Sequence, residues 1–214
     1  MARERFHGID VDESEDRNWL VTPVVDPITG AVSLPVASMA AAGYPTNAEA
    51  VMPRYAVNAN VVSADSGVVL LSYFTARSAT PRANVRVFSG TVAAAATPTL
   101  VRMGIYGVAA DGALTLLHST ANDTTVFAAP LTAYTRALTT TWTPVPGARY
   151  AFATLVVSSV ATPTLYGAIN SIAYFTAAEP HLSRTVPGQT NLPAAIGAGS
   201  TSPGGQSHYA ECTA

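Results

Sequence analysis

Short apolar runs return roughly every 10–15 residues between Val68 and Phe175, and none keeps a 3.6-residue period for three turns. A chain punctuated in this way cannot build helical layers, so it must pair extended segments. "GVVLLSYFTA" (67–76) sets Leu70, Ser72 and Phe74 on one face and Val69, Leu71 and Tyr73 on the other, a strand buried on both sides. "ANVRVFSG" (83–90) alternates, with Val85 and Val87 inward and Arg86 and Phe88 pointing the other way. "LVRMGIYGV" (100–108) opposes Val101, Met103 and Ile105 to Arg102 and Tyr106. It joins "ALTLLHS" (113–119) through Ala110-Asp111-Gly112, where glycine supplies the positive φ of a tight or bulged turn. "TVFAA" (125–129), "AYTRALTTTWTPV" (133–145), "RYAFATLVVSS" (149–159) and "SIAYFT" (171–176) complete the set. "ATPTL" stands at 96–100 and again at 161–165, a strand-entry device in which proline pre-sets an extended backbone. The expectation is an all-β protein, an antiparallel β-sandwich of jelly-roll type, over residues 56–182. Two small β domains are the competing fold.

The flanks differ from this core. Residues 1–26 carry three arginines against seven acids, while residues from 51 onward carry eight arginines against five acids. Residues 1–55 also hold five prolines and sparse apolar anchors, which reads as an extended N-terminal arm with one short hairpin around Asp26-Pro27. Phe6, Trp19 and Leu20 are its candidate partner-docking anchors, with Asp10, Asp12 and Glu13 facing a basic surface on the partner. The competing reading folds a terminal strand back onto the sandwich. Residues 183–214, rich in Gly, Pro, Ser and Ala, read as an irregular C-terminal tail that carries Cys212 as a bystander.

Composition narrows function. Charged residues make up 11% against about 25% in ordinary domains, and lysine is absent. Ala, Thr, Ser and Gly must therefore cover most of the surface, which suits burial against neighbouring subunits. A net charge of −2 without a basic stripe gives no expectation of a nucleic-acid partner. No apolar run reaches the ~18 residues that span a bilayer, and "MARERFHGIDVDESED" lacks the apolar core of an export signal. A soluble protein made in a bacterial cytoplasm, without membrane insertion, is expected.

No reaction suggests itself. Asp111 and Asp123 sit in turns, where the side chain caps the backbone. His118 and Ser119 are adjacent on a strand and face opposite sides. His7, His118, His181 and His208 show no ligand spacing, and "DVDESED" (10–16) lacks the central glycine and closing glutamate of a calcium loop. The expectation is a protein with no enzymatic activity, no cofactor and no metal. Sugar binding stays open, because Tyr106, Trp142 and Tyr166, with Tyr174, could stack on glycan rings; core or inter-subunit packing is the competing use of each.

Taken in order, "LLSYFTARSAT", "VRVFSGTVAAAATPTLVRMGIYGVAADGALTLLHSTANDTTVF", "AYTRAL", "GARYAFATLVVSS" and "TPTLYG" resemble the β domain of minor tail proteins from phages that infect actinobacteria. The resemblance runs from about Val68 to Leu192. It implies a virion location, a homotrimer, contacts with other virion subunits and a structural or host-surface-binding role. The arm lies outside the resembling region. A capsid decoration or head-fibre protein, and a carbohydrate-binding adhesin directed at host cell-surface glycan, are the alternatives.

Overall fold

A computed structural model describes residues 43–94, 98–160, 162–170 and 181–214, and the paired backbone of residues 24–25 and 32–33. Its strands are β1 (Val24–Val25), β2 (Val32–Ser33), β3 (Ala48–Ala50), β4 (Asn58–Ser63), β5 (Val68–Thr75), β6 (Arg82–Phe88), β7 (Leu100–Val108) and β8 (Leu114–Ser119). They continue with β9 (Ala133–Trp142), β10 (Arg149–Val157), β11 (Thr164–Ile169), β12 (Ser183–Val186), β13 (Ala195–Ile196), β14 (Ser202–Pro203), β15 (Gln206–His208) and β16 (Ala210–Thr213). Half the chain is strand and 4% is helical, so the all-β antiparallel expectation holds. β1 and β2 pair across residues 26–31, where the sequence places a hairpin.

A seven-stranded sheet in the order β13-β8-β7-β10-β5-β12-β14 curls into a half-barrel. β10 lies at its centre, paired along its length with β5 on one side and β7 on the other. Facing it are a four-stranded sheet, β3-β16-β6-β9, and a three-stranded sheet, β15-β11-β4. A bridge between Ser89 and Leu165 joins these two smaller sheets, and one between Thr120 and Leu138 ties the large sheet to β9. Between the layers pack Leu70, Phe74, Met103, Ile105 and Phe152 from the large sheet against Val85, Val87, Leu138, Trp142 and Leu165 from the small ones.

β5 is apolar on both faces, as its sequence requires. Val69, Leu71 and Tyr73 turn away from the interlayer core into a second cluster with Tyr106, Leu114, Ala153 and Leu155. That cluster is roofed by the C-terminal chain: after β12 pairs with β5, residues 187–194 cross the sheet to β13, which pairs with β8. Val186, Leu192 and Ile196 are the strap's apolar contribution, each buried side chain adding about 1.5–3 kcal/mol. The Asp111-Gly112 turn between β7 and β8 forms as expected, with Gly112 at φ +85°.

Four expectations are corrected. Residues 183–214 are not an irregular tail: β12 and β14 extend the large sheet, and β16 lies between β3 and β6. These strands are two to four residues long, too short for alternation to show against their Gly and Pro content. Cys212, expected to be a bystander, is buried in the interlayer core. "TVFAA" forms turns instead of a strand, with Phe127 buried at φ +70°. The arm does not reach residue 55, because β3 pairs with β16 and Met52 packs with Tyr209 over the outer face of the four-stranded sheet. "SIAYFT" falls outside the described residues.

β15 crosses β11 closely at Gly167, where a Cβ would stand 2.2 Å from the Ser207 carbonyl oxygen and 2.6 Å from a Val62 methyl. Ending the chain at residue 182 removes both the strap and the strand between β3 and β6. The truncated chain is expected to lose its cooperative thermal transition by circular dichroism. A soluble product that still melts cooperatively would contradict the assignment of β12–β16 to the core.

Candidate functional site

The arm candidates Phe6, Asp10, Asp12, Glu13, Trp19 and Leu20 lie outside the described residues. Of the three aromatic glycan candidates, two are withdrawn as platforms. Tyr106 has no exposed surface, and its hydroxyl donates to the Pro193 carbonyl of the strap at 2.7 Å. Trp142 is 2% exposed and packs edge-on against Phe74 and Tyr150. In both cases a two-sided core claims the ring before solvent can. Tyr166 is half-buried near Phe88, at a ring separation of 6.3 Å, over the outer face of the four-stranded sheet. His118 is half-buried and bonds through Nδ1 to the Thr140 hydroxyl at 2.8 Å, which ties β8 to β9.

The sequence reading passed over the most distinctive polar group in the interior, His208. Its Nδ1 lies 2.8 Å from the Ser72 hydroxyl of β5 and its Nε2 lies 3.1 Å from the Thr154 hydroxyl of β10. Its backbone N–H also donates to Ser72 Oγ, at 2.9 Å. Ser72 Oγ thus accepts from the backbone and can donate to Nδ1, leaving Nε2–H to donate to Thr154. A Ser–His pair at this distance has the outline of a nucleophile and base. Ser72, Thr154 and His208 are all buried, however, and the other ring nitrogen is occupied, so the trio braces β15 to the large sheet and presents nothing to a substrate. Burial holds the imidazole well below its ordinary range, at about 3. The legible signal was a lone hydroxyl in the middle of each of two apolar strands.

Two buried carboxylates close off the four-stranded sheet. Glu211 takes Arg54 at 2.8 Å, the Tyr209 hydroxyl at 2.5 Å and Arg86 at 3.5 Å. Glu49 accepts the backbone N–H groups of Arg77 and Ser78 and pairs with the Arg77 guanidinium at 3.4 Å. Burial, with the neighbouring Glu49 adding to it, pushes the Cys212 thiol up, so it stays protonated and is a poor nucleophile. Asp123 is held below the usual carboxylate range by the Thr125 hydroxyl and backbone N–H, with Arg136 as a further partner. Among the described residues no group of three His, Cys, Asp or Glu side chains could hold a metal ion.

The open edge of the sandwich is different. Leu70, Thr185 and Ser202 form a row across β5, β12 and β14, so the sandwich-facing side turns from apolar to hydroxylated as it reaches the edge. Opposite stand Ser63 of β4 and Gln206 of β15, with Asp65 in the following turn. Between them is a half-open cleft of about 300 Å³ with Val68, Leu70 and Pro187 among its lining. Ser63 donates to Asp65 Oδ1 at 2.6 Å. No protein-family model matches the chain, and no curated protein matches it in sequence.

The His208 brace gives stability a defined pH dependence. An unfolded chain takes up a proton near pH 6.5 that the folded chain refuses until about pH 3. Stability from this residue is therefore complete above pH 6.5 and declines as pH falls through that window, at up to about 1.4 kcal/mol per pH unit. His208→Gln should cost about 1–3 kcal/mol at pH 7 in urea titrations, with a smaller deficit at pH 4. Parallel pH profiles for the two proteins would contradict the brace.

Proposed function

We propose that the protein is a non-enzymatic structural component of a phage virion, a minor tail protein that assembles as a homotrimer, with the jelly-roll wiring of such modules. A capsid decoration or head-fibre protein is the alternative, differing in its place on the particle. The observation that carries the reading is the surface of β9. Among the described residues this ten-residue strand ends its sheet, pairing with β6 over Ala133–Ala137 and again at Trp142, while the Thr120–Leu138 bridge and the His118–Thr140 bond tie it to the end of β8. Ala133, Thr135, Ala137, Thr139, Thr140 and Thr141 are exposed along it, and its one charged residue, Arg136, pairs with Asp123.

Long exposed edges are ordinarily blunted with charge, proline or bulges, because an unprotected edge invites association. Apart from Arg136, which is paired with Asp123, and an irregular stretch between Ala137 and Trp142, the exposed side chains of this edge are Ala and Thr, which supports a face that is meant to be covered. The phrases that carry the family resemblance also become β5 to β11, so what resembles a tail protein is the frame of the sandwich. With residues 43–55 committed to the body, the proposed docking arm shortens to residues 1–42, which would anchor the protein on a neighbouring virion subunit.

Analytical ultracentrifugation at micromolar concentration should give a trimer, and Ala137→Arg with Thr139→Arg should give a folded monomer. A monomeric parent protein, or a double variant that stays trimeric, would contradict the β9 interface. Deleting residues 1–42 should leave the sandwich folded and abolish incorporation into particles; an unfolded product would place those residues in the core.

A further inference from the structure

We infer that the cleft at the open edge of the sandwich binds a neutral, hydroxyl-rich saccharide unit. This goes beyond the assembly role and does not depend on it. Thr185 and Ser202 sit side by side on the sandwich-facing side of β12 and β14. Neither hydroxyl, nor the Gln206 carboxamide, has a side-chain hydrogen bond among the described residues. Ser202 and Gln206 are exposed and Thr185 is half-buried, so their hydroxyls and carboxamide stand open to a ligand entering the cleft. Here they converge with Asp65, whose Oδ1 is fixed by Ser63 and whose Oδ2 has no partner among the described residues.

The composition of the cleft selects the ligand. Among the described residues no arginine or histidine lines it, so phosphates, sulfates and uronates would meet Asp65 without compensation. A single carboxylate is too few for a hard divalent cation. Among the described residues no aromatic ring lines it to receive a planar ligand. What remains is an apolar floor of Val68, Leu70 and Pro187 beneath acceptors and hydroxyls. A sugar ring matches that, placing its C–H face on the floor and its hydroxyls against Asp65, Gln206 and Thr185. The volume of about 300 Å³ suits a mono- or disaccharide unit.

The test uses the purified full chain and no particle, so its failure is separable from failure of the virion reading. Isotope-labelled protein is titrated by NMR with maltose, mannobiose, galactobiose and arabinobiose, and with glucuronic acid as the anionic comparison. At least one neutral disaccharide should shift resonances within 63–70, 185–187 and 202–206, with an affinity in the millimolar range. Glucuronic acid should shift them less. Asp65→Ala and Ser202→Tyr, the second filling the cleft, should each weaken binding about tenfold or more while keeping the parent melting profile. Because the shift map is read on the parent protein, a poorly folded variant leaves it decisive. Silence with all four sugars, shifts confined to another surface, preference for glucuronic acid, or folded variants that bind like the parent would each overturn the proposal.

Discussion

A strand that is apolar on both faces has to be covered twice, and most of this architecture follows from β5 and β10 meeting that condition. One face of the pair packs Leu70, Phe74 and Phe152 against the smaller sheets. The other presents Val69, Leu71, Ala153 and Leu155, and among the described residues no further sheet packs on that side to receive them. The chain solves this with its own C-terminus, carrying Leu192 and Ile196 across the sheet and tying the strap down through the Tyr106 hydroxyl and the Asn191 side chain, which accepts from Arg102. Residues that look dispensable by composition are the second layer.

The polar interior follows the same economy. Bringing the C-terminus back through β15 and β16 buries His208, Glu211 and Cys212, and each costs free energy unless it is satisfied. His208 finds one hydroxyl on each of the two central strands, and Glu211 gathers two arginines and a tyrosine. These contacts fix the register of short strands whose backbone pairing alone would specify it weakly.

The central strands were legible because their alternation is long. Val85 and Val87, Val101 to Ile105, and the two faces of β5 fall where their sequence places them. β12 to β16 were not legible: two to four residues cannot establish a period, and their pairing partners lie far away in sequence. "TVFAA" misleads because β-branched and aromatic residues also fill a buried turn, as Phe127 does beside Tyr134. Tyr106 and Trp142 were open to two uses, and burial decided for the core. The cleft was illegible because Asp65, Thr185 and Gln206 meet only when three separate edges come together.

The claim that organises the functional account is that this chain is a fixed part of a particle. Quantitative mass spectrometry of density-purified virions of the phage proposed to encode it, with copy number referred to the major capsid protein, tests it most directly. The account predicts a constant stoichiometry in multiples of three that survives high-salt washing. Recovery of the chain only from the soluble lysate, with none in purified particles, would contradict it.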